Sequence, residues 1–170
     1  MVYASTERNR LDFDIYKADI GTGKSERLYE GKYGFIAHAA SGDGRYVVIS
    51  ERVGEDSDIL YLFDLKKNKL RTLSKPSRRA NHTRGGIVWD RNSDGFYLSS
   101  NLDRNFSALM YYDLEKGFQT LEQTDADIES VILCGKDKNV LVWSENRDGF
   151  SVLRAKNLKS QQKLPVPEFP

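Results

Sequence analysis

Few side chains in this sequence have the types and spacing that covalent catalysis or metal binding requires. A hydrolytic triad needs a histidine beside a serine, with an acid to orient it, and a structural zinc site needs closely spaced ligands. His38 lies in the apolar stretch 35–40, where we expect it to be packed and hydrogen-bonded, and His82 lies in the polar loop 75–86, where we expect it to be solvated. Cys134 lies in an apolar run and is expected to be a buried, inert thiol. The sequence therefore predicts no catalytic, cofactor-binding or metal-binding residue in this chain.

A polar pattern recurs at four places where an apolar strand ends in serine and an arginine-containing loop follows. The pairs are Ser5 and Arg8, Ser50 and Arg52, Ser100 and Arg104, and Ser144 and Arg147, with the acidic neighbours Glu7, Glu51, Asp103 and Glu145. If these loops share one face of a repeated structure, they form a charged collar that could contact a peptide terminus, a partner or a catalytic domain. The alternative is ion pairing between repeats and solvated loop tips, which contribute little stability. The candidate rim contacts are Arg8, Arg52, Asp103, Arg104, Glu145 and Arg147.

The elements that must position these side chains follow from a repeat. An Asp or Asn closes an apolar strand four times, at Asp19, Asp64, Asp113 and Asn157, with a spacing of roughly 45 residues that is typical of strand-built propeller blades. The fourth residue after each anchor is Gly23, Asn68, Gly117 or Gln161. The first three tolerate the left-handed backbone of a tight hairpin, and the anchor side chain can accept hydrogen bonds from the turn.

A second hairpin precedes each anchor in the later repeats, at Asp43-Gly44, Asp94-Gly95 and Asp137-Lys138-Asn139. An apolar strand lies on either side of it, so that each blade contains four strands. We therefore predict an all-β fold: a β-propeller segment, residues 1–170, of about four consecutive four-stranded antiparallel blades in an incomplete ring. The approximate blade ranges are 1–31, 32–76, 84–123 and 126–167.

The first and last blades of the predicted array are expected to differ from the complete blades. The first blade lacks its innermost strand, and the proline-rich tail 164–170 is a poor substitute because proline cannot donate to a ladder. An open array leaves sheet surfaces uncovered, which predicts self-association.

Charge and hydropathy exclude two classes of partner. The 26 Lys and Arg residues are balanced by 25 Asp and Glu residues, interspersed along the chain, so no electrostatic footprint for nucleic acid is expected. The basic connector 75–84 is expected to be solvated. No stretch approaches the roughly 18 apolar residues of a membrane span, and no membrane partner is expected. The compartment stays open, with the cytoplasm favoured over the periplasm.

The repeat phrases 89–95, 100–104 and 109–114, together with Asp148-Gly149-Phe150, resemble the N-terminal propeller of prolyl oligopeptidase-family serine peptidases, including dipeptidyl and acylaminoacyl peptidases. They also resemble TolB-type periplasmic propellers. The peptidase resemblance implies a lid over an α/β-hydrolase domain that restricts access to small or unstructured peptides. The nucleophile elbow G-x-S-x-G of that domain is absent from this sequence, so no catalytic residue is transferred.

Three hypotheses follow. The first is a non-catalytic propeller segment that gates substrate access and docks on a hydrolase domain, or on remaining blades, outside this chain. The second is a TolB-type or WD-type scaffold that binds a protein or peptide. The third, which lacks a convergent set of carboxylates, is a fragment of a propeller lyase or glycosidase.

Overall fold

The computed structural model describes residues 1–74 and 80–167, and every regular element in these ranges is a β-strand. The chain divides into two compact units, Met1–Ala80 and Asn81–Pro170. The strands of the first unit are β1 (Val2–Ser5), β2 (Asp14–Ala18), β3 (Ser25–Tyr29), β4 (Phe35–Ala40), β5 (Tyr46–Arg52), β6 (Asp58–Asp64) and β7 (Lys69–Thr72). Within the described ranges, no helix is long and apolar enough to cross a membrane.

The strands of the second unit continue the same alternation of strand and turn. They are β8 (Ile87–Trp89), β9 (Gly95–Ser100), β10 (Ala108–Asp113), β11 (Gly117–Glu122), β12 (Asp127–Cys134), β13 (Val140–Arg147), β14 (Phe150–Asn157) and β15 (Lys163–Leu164). The predicted basic residues Lys75, Arg78 and Arg79, and the last three residues of the tail, lie outside the described residues.

Strands that are neighbours in sequence are neighbours in every sheet, and all pairs are antiparallel. Sheets β4–β7, β8–β11 and β12–β15 have four strands, whereas β1–β3 has three. The all-β prediction of consecutive antiparallel blades is confirmed, and the first sheet lacks an innermost strand as expected.

The turns after the anchor residues have the predicted chemistry. Asp64 Oδ1 accepts hydrogen bonds from the backbone N–H groups of Lys66 and Lys67, both at 3.0 Å. Equivalent bonds reach the side chains of the other three anchors, Asp19, Asp113 and Asn157. The left-handed position is occupied even where the residue is not Gly or Asn, since Gln161 has φ 60° and its amide donates to the Leu158 carbonyl at 2.7 Å.

The loops between the first two strands of the complete sheets show that the turn predicted at Asp94-Gly95 is placed too late in the sequence. Each loop has five residues (41–45, 90–94 and 135–139), and the fourth is left-handed in all three: Gly44, Ser93 and Lys138. Asp94-Gly95 is therefore not the equivalent of Asp43-Gly44, because Gly95 already lies in β9 opposite Asp113. A Cβ at Gly95 would lie 2.3 Å from the Tyr112 carbonyl oxygen, so close backbone approach rather than turn conformation requires glycine there.

Each unit has an apolar core between its two sheets. In the first unit Ile15 packs with four buried residues, Phe35, Val47, Ile49 and Phe63. In the second unit Leu109 packs with Ile128, Val131, Leu141 and Trp143. Each such side chain contributes about 1.5–3 kcal/mol by leaving water, and the cores hold the strand ends that carry the candidate site residues.

Candidate functional site

Two serine–histidine pairs are the groups closest to a hydrolytic arrangement. His38 Nε2 lies 2.7 Å from Ser50 Oγ, and His82 Nδ1 lies 2.7 Å from Ser100 Oγ. The expectation of a packed, hydrogen-bonded His38 agrees with this geometry. The expectation of a solvated His82 is wrong: its side chain is 1% exposed and stacks on Phe118 with ring centroids 5.8 Å apart.

Burial makes these pairs structural crosslinks. Ser50 and Ser100 are 2% and 0% exposed, so neither hydroxyl can reach a substrate carbonyl. Burial lowers the pKa of each histidine from 6.5 to about 4, because the low-dielectric interior disfavours the charged imidazolium. A neutral imidazole beside a serine is the arrangement of a general base and nucleophile, but here it serves to satisfy buried polar groups.

The four strand-end serines occupy two different positions in the repeat. Ser5 and Ser100 pair with Asp14 and Ala108, each five residues before its anchor. Ser50 and Ser144 pair instead with residues four before the anchor, Leu60 and Leu153. The residue that corresponds to Ser50 in the third sheet is Ser99, whose hydroxyl donates to the Ile128 carbonyl. This one-residue offset is visible in the ladder register but not in the sequence pattern.

Arg8 lies in an ion-pair cluster within the first sheet. Its Nε lies 2.8 Å from Asp14 Oδ2, and the Asp14 carboxylate, which is fully buried, also accepts the Gly31 N–H at 3.0 Å. Burial alone would raise the pKa of Asp14, but the hydrogen bonds from Arg8 and Gly31 outweigh it and hold that pKa below its usual range. Arg8 therefore balances a buried carboxylate of its own sheet.

Arg147 is engaged in the same way in the last sheet. Its Nε lies 3.1 Å from Glu145 Oε2, and Arg154 Nε lies 3.4 Å from the other carboxylate oxygen. Glu145 is only 3% exposed, so it is enclosed by these arginines and is not displayed at a rim. A second contact joins Arg147 to Asp125 at 3.1 Å.

The remaining rim candidates are Arg104, Asp103 and Arg52. Arg104 is half-buried and donates to the Leu102 carbonyl at 3.0 Å and to Thr120 Oγ1 at 2.9 Å. Asp103 is exposed, with φ 58°. Arg52 is exposed at the end of β5, and its backbone N–H donates to the Gly34 carbonyl at 2.9 Å. The structure thus pairs Arg8 and Arg147 with buried carboxylates, bonds Arg104 to a carbonyl and a threonine, encloses Glu145, and leaves Arg52 and Asp103 exposed.

The structure also contains two hydrogen bonds from tyrosines to carboxylates that the sequence did not predict. Tyr61 donates to Glu51 Oε2 at 2.6 Å and Tyr111 donates to Asp90 Oδ2 at 2.5 Å, and burial together with these carboxylates raises both phenol pKa values.

A cavity of about 440 Å³ lies against Trp143, Arg154 and Leu164. Cys134 is half-buried, so the prediction of a buried thiol is only partly correct. Among the described residues no group of three or more His, Cys, Asp or Glu side chains could hold a metal ion.

Comparison with known proteins identifies the family of this chain. A model of the family described as the prolyl oligopeptidase N-terminal β-propeller domain matches residues 2–170. A search of the curated proteins found no significant match.

Solved structures share the fold at low sequence identity. A prolyl endopeptidase, one of two studied for the role of inter-domain dynamics in catalysis and specificity, superimposes with a TM-score of 0.73 at 18% identity over 98% of this chain and 26% of its own. TolB from Acinetobacter baumannii gives 0.71 at 16% identity over 95% of this chain and 39% of its own. Prolyl oligopeptidase B from Galerina marginata gives 0.72 at 15% identity over 96% of this chain and 25% of its own.

This chain therefore spans less than half the length of each of these proteins. The similarity in structure establishes the propeller fold, and the family model covers nearly every residue. The chain belongs to the prolyl oligopeptidase N-terminal β-propeller domain family.

Proposed function

We propose that this chain is the non-catalytic propeller segment of a prolyl oligopeptidase-family serine peptidase, which gates substrate access and docks on a hydrolase domain. The observation that carries the proposal is the match of residues 2–170 to the propeller domain of this family, the part that does not perform catalysis. The enclosed serines of the two serine–histidine pairs support a role without a nucleophile in this chain.

The first experiment tests catalysis by the chain alone. Purified chain is incubated with a chromogenic proline peptide and, separately, with a fluorophosphonate that labels reactive serines. We expect neither turnover nor labelling above a heat-denatured control. Turnover that the fluorophosphonate abolishes would contradict the non-catalytic role.

The docking surface in this proposal is the loop rim of the first unit, where Arg52 offers exposed charge. Arg8, by contrast, is engaged with the buried carboxylate of Asp14. A guanidinium at this rim suits polar, charge-assisted contacts, and such contacts change association rate and specificity more than they add affinity.

The second experiment tests docking in the longer protein that contains both this chain and a hydrolase domain. Arg52→Glu is compared with Lys66→Glu, a charge reversal in the turn at the opposite end of the same sheet. We expect Arg52→Glu to raise the cleavage of long or unfolded peptides relative to short ones, whereas Lys66→Glu leaves the ratio unchanged. Equal ratios in both variants would remove the rim from the proposal.

The second candidate is a scaffold that binds another protein. The similarity to TolB, at a TM-score of 0.71, favours it. A longer protein that carries this chain and yet shows no fluorophosphonate-reactive serine would support the scaffold and contradict the peptidase.

A further inference from the structure

The indole N–H of Trp143 is a buried donor that lacks an acceptor. Trp143 lies on β13, opposite Val131 and Arg154, and its side chain packs in the apolar core of the second unit. The residue is 3% exposed, and its Nε1 has no hydrogen-bond partner among the described residues. Buried tryptophan N–H groups usually find an acceptor, so the absence of one at this position requires a physical reason.

Trp143 also lines the cavity of the last sheet. The cavity has a volume of about 440 Å³, which is within the range of sites that take small molecules. Its lining includes the apolar side chains of Leu164, Pro165 and Val166 beside the tryptophan. A ligand in this cavity would therefore cover apolar surface and lie next to the residue whose N–H lacks an acceptor.

The polar side chains that line the cavity are all donors. They belong to Trp143, Arg154 and Lys163, and none of these groups accepts a hydrogen bond. Arg154 contacts Glu145 through Nε and Nη2, both at 3.4 Å, so its charge is balanced by a carboxylate. Lys163 is exposed, and no acidic side chain of the described residues is paired with it. The cavity thus offers one unpaired positive charge and an orphaned donor.

We propose that this cavity is a binding site for a monocarboxylate with an apolar body. The carboxylate accepts hydrogen bonds from Trp143 Nε1 and from the Lys163 ammonium, and the apolar body covers Leu164 and Val166. Nε1 is shielded from solvent in the unliganded chain, so a lining side chain changes rotamer as the ligand enters, which is a common response to binding. This inference does not depend on the proposed peptidase function.

A carboxylate fits this set of donors better than other charged groups do. Its two oxygens accept from two donors at once. A cationic ligand would be repelled by Lys163 and would find no acceptor among the lining side chains. A phosphate monoester carries a charge of about −1.5 to −2 at pH 7, more than the one unpaired cation balances, and burial of its remaining oxygens against an apolar lining is costly.

The experiment follows the fluorescence of Trp143 in the full chain with Trp89→Phe, which leaves Trp143 as the sole tryptophan. N-acetyl-L-leucine represents a peptide that ends in an apolar residue, and octanoate represents a free acid. The amides of both compounds are neutral counterparts of the same size. We expect a saturable change in emission with at least one carboxylate and at least tenfold weaker binding of its amide, and the carboxylate that binds more tightly identifies the source.

Isothermal titration calorimetry on the wild-type chain gives the same comparison without the Trp89→Phe substitution. The absence of saturable binding with both carboxylates in both measurements would overturn the proposal. Equal affinity for a carboxylate and its amide would also overturn it, because the cavity would then recognise apolar surface alone.

Variants of the protein separate the contribution of the charge from that of the N–H. Lys163→Gln removes the unpaired charge, and Lys159→Gln, at an exposed lysine of the adjoining turn that does not line the cavity, is the matched control. We expect Lys163→Gln to weaken carboxylate binding at least fivefold and Lys159→Gln to leave it unchanged. Trp143→Phe keeps an aromatic ring in the core and removes the N–H, and it should weaken binding of the carboxylate in calorimetry. Equal affinities of the two lysine variants would overturn the proposal.

Discussion

His82 is a polar side chain whose role depends on burial. The ring is enclosed by Phe118 and bonded to Ser100, and this environment holds it neutral at physiological pH, since its pKa is lowered to about 4. An unfolded chain exposes the same imidazole to water, where its pKa returns to its ordinary value of 6.5. The difference links folding to proton uptake.

The sign of this linkage gives a prediction for acid stability. Because the folded pKa is the lower one, the contribution of His82 is fully present above pH 6.5 and is lost as the pH falls toward 4, by about 3 kcal/mol at most. Urea unfolding of the wild type between pH 7 and pH 4 should show this loss. The variant His82→Gln, which cannot titrate, should lose distinctly less stability over the same interval, and an identical pH profile would contradict the assignment.

Five-residue loops at one end of the complete sheets set the register of the elements that follow. Their left-handed fourth position holds Gly44 in one loop and Lys138 in another, and only the glycine adopts that conformation without cost. Chain geometry, and not the identity of the residue, therefore fixes the turn.

Substitutions at this position should have opposite effects in the two loops. Lys138→Gly is expected to stabilise the chain by about 0.5–1 kcal/mol through relief of the left-handed strain, and Gly44→Ala to destabilise it by about 1 kcal/mol. No atom lies within 4 Å of the Cβ that Gly44→Ala would introduce, so the cost is conformational. Urea midpoints of the two variants check both signs, and effects of the same sign would argue against the common loop geometry.

Gly95 is required by close backbone approach and not by turn conformation, so its substitution should be more costly than that of Gly44. Its substitution by alanine should cost at least 1–3 kcal/mol, since the new methyl group would collide with the backbone carbonyl oxygen of Tyr112. Thermal unfolding would show the loss, and Gly44→Ala is the matched control in open space. If Gly95→Ala lowers stability no more than Gly44→Ala does, the result would support the predicted turn at Asp94-Gly95 and contradict the close-approach explanation.

The sequence could predict whatever depends on local chemistry. The anchors at Asp19, Asp64, Asp113 and Asn157 identified the turns because an Asx side chain accepts turn N–H groups wherever the chain reverses. The offset between Ser50 and Ser100 could not be predicted, because both serines end apolar strands and only the ladder register distinguishes them. The burial of His82 was missed for a related reason: its sequence neighbours are polar, and its enclosure comes from Phe118, which is distant in sequence.

At the scale of the whole molecule, the face of the last sheet that points away from its core carries an exposed apolar side chain. Ile132 is 51% exposed on β12, opposite Val142, while the adjacent Val131 faces the core. Alternation along the strand therefore presents Ile132 to solvent between Ser130 and Cys134, and exposed apolar surface favours association.

This exposed side chain predicts that the chain self-associates through this face. We expect the wild-type chain to sediment in a concentration-dependent manner and Ile132→Lys to shift it toward monomer, because a lysine in the interface would be buried without a partner. Lys136→Glu, a charge change in the adjacent exposed loop, is the control and should leave sedimentation unchanged. A wild-type chain that is monomeric at all concentrations would contradict the expectation.

The strictly sequential order of strands in every sheet has a consequence for synthesis. None of the three four-stranded sheets waits for a strand encoded far downstream. The loops that must close to form their ladders are therefore short, and local pairing of this kind favours rapid folding. As the chain leaves the ribosome, each of the three four-stranded sheets has all its strands before the next sheet begins. Such a polypeptide can fold one repeat at a time from its N-terminus. Strand edges that wait for a partner are then exposed only for a short time, in one repeat after another.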